Sequence, residues 1–302
     1  MTRAFLKSGA MFGTMIEFFA DPLAYQFMQR GMLAAVMVGV LCAVVGCYVV
    51  LRGMAYLGDA MSHAILPGVA IAYLLKGEIL VGALVAAILV ALGIGFFTRR
   101  GMMKEDTAIG ILFAATLSLG VALISTIKTY ALDLTHILFG NILGVSETDL
   151  ILIAVLGGIV LLTIVLLYKE LLVVSFDPVL AATLRLPTER LKNVLLILIA
   201  LAVVVSMQTV GVGLVAAMLV TPAATAYLLT RRLPVMMLVS GVLGALASLV
   251  GLYASYYLNV ASGAAVVLTA TLFFFVTYFF APARGLVWSM LRRTKTLETP
   301  KV

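Results

Sequence analysis

Charged side chains are scarce in this 302-residue chain, at 11%, against 64% hydrophobic residues and a mean hydropathy of +1.22. A water-soluble domain carries about 25% charge and about 45–50% apolar residues, so the scarcity excludes an ordinary soluble globule. Cysteine is almost missing. Cys42 and Cys47 are the only two, five apart in one apolar run, which excludes a disulfide framework and a CxxC site and leaves them as packing residues. Histidine is as rare, with His63 and His136 alone. No G-x-x-x-x-G-K-[ST] string occurs, which excludes ATP binding by a P-loop of this sequence, so active transport would need a gradient or a partner. Residues 1–29 lack a clean apolar core, because Arg3, Lys7, Glu17 and Asp21 interrupt their Phe and Met. That excludes a signal-peptide core and favours an interfacial amphipathic helix.

What the chain does have is apolar runs long enough to cross the hydrocarbon layer as helices. Nine spans are predicted, near 31–50, 59–75, 79–97, 107–127, 149–168, 193–207, 210–230, 234–257 and 262–281. The fold class is all-α, a polytopic bundle among membrane lipid, and residues 1–302 form one transmembrane domain. Residues 169–192 make its longest internal connection and 283–302 its tail. The net charge of +7 reads as topology and not as affinity for nucleic acid. Fifteen of the 20 Lys and Arg fall in one set of alternating connections: Arg52; Arg99, Arg100 and Lys104; Lys169, Arg185, Arg190 and Lys192; Arg231 and Arg232; and five beyond residue 283. Positive charge is retained inside, so this set is cytoplasmic, the C-terminus is inside and the N-terminus outside.

Within the second span stands the string GDAMSHAILPG, Gly58 to Gly68. Asp59 and His63 are four apart and so share one helical face. An ionisable residue in the membrane costs a few kcal/mol or more and marks a functional candidate. The pair could be a structural ion pair, a proton relay or half of a metal site. A transition metal wants about four ligands, and His136 lies in a polar external connection. The economical metal site is therefore a two-fold dimer in which each copy contributes Asp59 and His63. Ser62 suggests a hydrolase, but consecutive helical residues point about 100° apart, so it cannot join that face, and the chain is not read as an enzyme.

The 169–192 connection contains FDPVLAATLRLP, a proline-started turn followed by a short helical run. Its Val179, Leu180, Leu184 and Leu186 are apolar residues in a cytoplasmic loop, as a docking surface requires. Two spans carry small residues at helix-packing spacing: Gly110, Ala114, Ser118, Ala122 and Ser125 in one, and Gly241, Gly244, Ser248, Gly251 and Ser255 in the other. Both are expected to pack against other helices.

These blocks together resemble the permease subunits of ATP-binding-cassette importers for manganese, zinc and iron. The likeness runs through residues 21–70, DTAIGILFAATLSLGVALIS at 106–125, LFGNILGVS, the FDP loop, TVGVGLVAAMLVTPAATAYLLTRR and SGAAVVLTATLFFFVTYFFAP. It implies that Asp59 and His63 are metal ligands. It also implies that the FDP loop, with Asp177, Pro178, Leu180, Leu184 and Leu186, is the coupling segment gripped by the ATPase. Such segments usually end in Leu-Gly, whereas this chain has Leu184-Arg185. The resemblance further implies a second permease protomer, a cytoplasmic ATP-binding subunit, an extracytoplasmic metal-binding protein and a bacterial inner membrane. No cofactor is expected. The expected cargo is Mn2+, favoured by Pro67 in SHAILPG, with Zn2+ or Fe2+ as alternatives. A gradient-driven metal transporter is the alternative of another class, but it calls for more protonatable residues in the spans than this pair. Metal binding should weaken as pH falls, because a protonated imidazole cannot ligate.

Overall fold

Nothing in hydrocarbon replaces water as a partner for backbone N–H and C=O, so an apolar run can cross only by bonding within itself as a helix. The computed structural model describes residues 21–126, 140 and 142–281, and twelve α-helices occur among them. They are α1 (Gln26–Leu51), α2 (Tyr56–Ala64), α3 (Leu66–Leu74), α4 (Ile79–Thr98), α5 (Glu105–Ser125), α6 (Glu147–Leu166), α7 (Tyr168–Phe176), α8 (Pro178–Thr183), α9 (Thr188–Val210), α10 (Val212–Leu229), α11 (Leu233–Leu258) and α12 (Ser262–Phe280).

Each predicted span corresponds to helix. Among the described residues, eight stretches are long and apolar enough to cross a membrane, α2 and α3 counting together as one, and the ninth, α10, has the shorter apolar stretch Leu214–Leu229. Of the segment expected at the interface, residues 1–20 lie outside the described residues, as do His136 and the 283–302 tail. Of the part that is described, residues 26–29 already belong to α1. Arg30, next in that helix, forms an ion pair with Glu147 at the start of α6.

The bundle is built around α1, which packs against α6, α9, α10 and α11. Lipid tails are as apolar as leucine, so helices in a membrane associate through close packing and hydrogen bonds and not through exclusion from water. Gly46 shows how close: a Cβ there would collide with the carbonyl oxygen of Leu219 on α10. The small-residue stripe of α11 packs as expected, with Gly244, Ser248, Gly251 and Ser255 buried. Ser240, on the same helix, donates to the Ala43 carbonyl at 2.8 Å. Both cysteines are buried and free, Cys42 lying 2.8 Å from the Ser206 hydroxyl. The stripe of α5 differs. Ala108, Ile109 and Gly120 are that helix's buried residues, and they sit on another face, leaving Ala114, Ser118, Ala122 and Ser125 exposed on this chain.

Charge is concentrated at the two ends of the bundle. Opposite the Arg30–Glu147 end, Arg52 at the end of α1 donates one guanidinium nitrogen to both Glu105 carboxylate oxygens, at 2.8 and 3.0 Å. Lys192 of α9 donates to the same carboxylate at 3.0 Å. Three connections of the lysine- and arginine-rich set thus meet at one end, in keeping with the alternation read from the sequence.

The α1–α10 crossing gives a direct test. Gly46→Ala should cost about 1–3 kcal/mol, because neighbouring backbone must move. Gly158→Ala on α6, where an added Cβ meets nothing within 4 Å, should leave the thermal unfolding midpoint in detergent unchanged.

Candidate functional site

The span that carries Asp59 and His63 is broken directly after them. Helix α2 ends at Ala64, and α3 resumes at Leu66 with proline in its first turn. Pro67 has no N–H to offer the carbonyl of His63 four residues back, and its ring crowds that carbonyl, so the α-helical ladder cannot continue. It resumes with Val69 donating to Ile65 at 3.0 Å. The break places Asp59 in the first turn of a short helix and His63 in its last, the ends at which the helix dipole favours an anion and a cation respectively.

His63 Nε2 lies 3.7 Å from Asp59 Oδ1, and the two side chains are 25% and 38% exposed on this chain. That separation is too long for a hydrogen bond, and it leaves lone pairs of both groups available to a third atom. His63 Nδ1 is turned into the protein, with no hydrogen-bond partner among the described residues. The ring of Phe113 on α5 stands 5.8 Å from the imidazole, centroid to centroid, and 5.9 Å from Tyr56. Ser62 is buried and donates to the Gly58 carbonyl at 2.8 Å, so it is turned away from the pair. Among the described residues no third His, Cys, Asp or Glu joins them to form a metal-binding cluster. One chain thus brings together two groups able to ligate, Asp59 and His63.

At the arginine- and lysine-rich end, the 169–192 connection folds into α7, α8 and the first turn of α9. Asp177 caps α8: its carboxylate accepts from the Val179 and Leu180 amides at 3.0 and 2.9 Å, and Pro178 occupies the first position, where a missing N–H costs nothing. Val179 and Leu184 are 75% and 57% exposed, and Leu180 is exposed too. Leu186 does not join them. It packs inward against the cluster of Val174, Ala181 and Leu191, because the turn after α8 brings the chain back under α7. That turn runs through Arg185 at φ +55°, a left-handed conformation that costs a side-chain-bearing residue about 1–2 kcal/mol. The family resemblance offered a signal for this, since it implies Leu-Gly where this chain has Leu184-Arg185.

Comparison with known proteins follows the same lines. Residues 24–281 match the family described as ABC 3 transport family. "Manganese transport system membrane protein MntC" of Halalkalibacterium halodurans is 45% identical over 281 residues, covering 93% of this chain and 96% of that protein. A "Probable iron transport system membrane protein" of Haemophilus influenzae is 38% identical over 284 residues, covering 94% and 99%. Among solved structures, "PsaBC from Streptococcus pneumoniae in complex with Fab" superposes with a TM-score of 0.81 at 41% identity, over 92% of this chain and 99% of that one.

The strained turn is testable by substitution. Arg185→Gly should relax it by about 1 kcal/mol, read as slower amide exchange across residues 178–187. Asp177→Ala should act in the opposite sense by about 1 kcal/mol, through loss of the cap.

Proposed function

This chain is a member of the ABC 3 transport family, and we propose that it is the membrane-spanning permease subunit of an ATP-driven importer for a divalent first-row metal, with manganese as cargo. The observation that carries the reading is the carboxylate–imidazole pair of Asp59 and His63, partly exposed beside a broken helix. It is supported by the manganese transport protein to which the chain is similar over nearly its whole length. The iron-named relative is less similar, which favours manganese over iron.

A two-fold pair of such chains supplies two carboxylates and two imidazoles. The carboxylates neutralise a divalent cation where the dielectric constant is low, and the imidazoles disfavour magnesium and calcium, which prefer all-oxygen shells. Without thiolate the set lacks the soft donors that hold copper(I). Phe113 of α5 stands beside His63, and the open stripe lies on the other side of that helix. Small residues let a second helix approach closely, so a second copy packs on this stripe. The ATPase subunit docks on Val179, Leu180 and Leu184, held in place by the Asp177 cap. An extracytoplasmic binding protein delivers the metal at the opposite end, in the inner membrane of a bacterium.

Uptake in a strain lacking its own importers tests the pair and the metal together. Asp59→Ala and His63→Ala should each abolish manganese import while the protein still reaches the membrane. Import by both variants at the wild-type rate would remove the assignment, and zinc import without manganese import would change the cargo. For the dimer, Ser118→Cys should form a disulfide-linked dimer on mild oxidation, the two native cysteines being buried. A chain that stays monomeric on oxidation while importing manganese would move the interface elsewhere.

A further inference from the structure

Arg52, Glu105 and Lys192 belong to three elements with separate tasks in the reading above. Arg52 closes α1, and the chain leads from it directly into α2 and Asp59. Glu105 opens α5, the helix whose Phe113 stands beside His63 and whose Gly120 abuts Leu66 and Pro67 at the break. Lys192 lies early in α9, next to Leu191, which packs on Ala181 of α8 and Val174 of α7. One carboxylate therefore holds the ATPase-facing segment and both supports of the metal pair.

The charges in this cluster do not balance. Two cations share one anion, the Arg52 side chain is only 7% exposed, and its second terminal nitrogen, Nη1, is buried with no hydrogen-bond partner among the described residues. Burial pulls the Arg52 pKa down, and the Glu105 charge and hydrogen bond pull it back. A cluster serving stability alone would do as well with apolar residues of the same volume. The two cations also differ in kind. The planar guanidinium is fixed by the carboxylate, whereas the Lys192 ammonium sits on a flexible stem and can follow a moving helix.

We propose that Glu105 is a positioning residue for transport: its carboxylate links the coupling segment, through Lys192, to the metal-bearing helix, through Arg52 and α5, so that displacement of α8 and α9 reaches Asp59 and His63. This rests on the reading of the chain as an ATPase-driven metal permease. Glu105 touches no metal; it acts through the helices it ties.

The test measures manganese uptake and ATP hydrolysis on the same liposomes, containing the permease–ATPase complex supplied with its binding protein. No ATP-dependent uptake by the wild type would overturn the permease reading and this proposal with it. Given wild-type import, Glu105→Gln should lower the manganese imported per ATP by about tenfold, within the usual range of coupling effects, while the ATPase still co-purifies and hydrolyses. Glu105→Asp, which keeps the charge, should recover most of the ratio. Import at the wild-type ratio in the Gln variant overturns the proposal, and so does a parallel fall of uptake and hydrolysis, which a merely structural residue would give. Lys192→Gln guards against misfolding, since it leaves the Arg52–Glu105 pair intact. It should melt with the wild type and still lower the ratio, and an unchanged ratio in this variant also overturns the proposal.

Discussion

A carboxylate and an imidazole inside an apolar span are expensive to keep, and much of the architecture follows from making them tolerable. The helix that bears them is cut short, so that the carboxylate lies in the first turn, where the dipole favours an anion, and the imidazole in the last. The cut needs Pro67, and Pro67 leaves the His63 carbonyl without its usual donor. Irregular backbone at such depth survives only where protein or a polar cavity covers it. That requirement explains why α2 and α3 are flanked by α4 and α5, and why a small residue, Gly120, faces the break.

The rest of the bundle answers a different demand. Helices in lipid gain nothing from hiding leucine, so contact must come from close approach and hydrogen bonds. At α1 the close approach is at Gly46, and Ser240 of α11 adds a hydrogen bond to the Ala43 carbonyl. A helix that is small on one face and bulky on the other therefore carries directional information. In α11 the small face is spent within the chain, whereas in α5 it is left open on the chain's surface. The same kind of stripe has two fates, and only the surrounding helices decide which.

This contrast marks what the sequence could and could not reveal. Span positions were legible, because length and hydropathy are local properties that the bilayer tests directly. The shared face of Asp59 and His63 was legible from spacing, as was the turned-away Ser62. A proline-started turn was legible in Asp177-Pro178, whereas the left-handed turn at Arg185 was not. The inward turn of Leu186 was not legible, since four apolar residues in a loop carry no sign of which one the returning chain will cover. Neither was the Arg52–Glu105–Lys192 cluster. Read along the chain, its members are rim charges that set topology, and nothing local to residue 105 announces partners 53 and 87 positions away.

Selectivity cannot come from affinity alone on the proposed reading. For a site of carboxylates and imidazoles, affinity rises from manganese toward zinc, so the favoured cargo would be the weaker binder. Weak binding suits a permease, which must release what it receives, as conduction through any multi-site path requires. An Asp59–His63 pair held 3.7 Å apart, with half of its ligand shell supplied by another copy, is poorly preorganised by comparison with a closed structural site. It can be assembled and taken apart by small relative movements of two α2 helices. On that reading, whatever controls where those helices sit controls the metal, and the Arg52–Glu105–Lys192 cluster lies just before the helix that bears the pair.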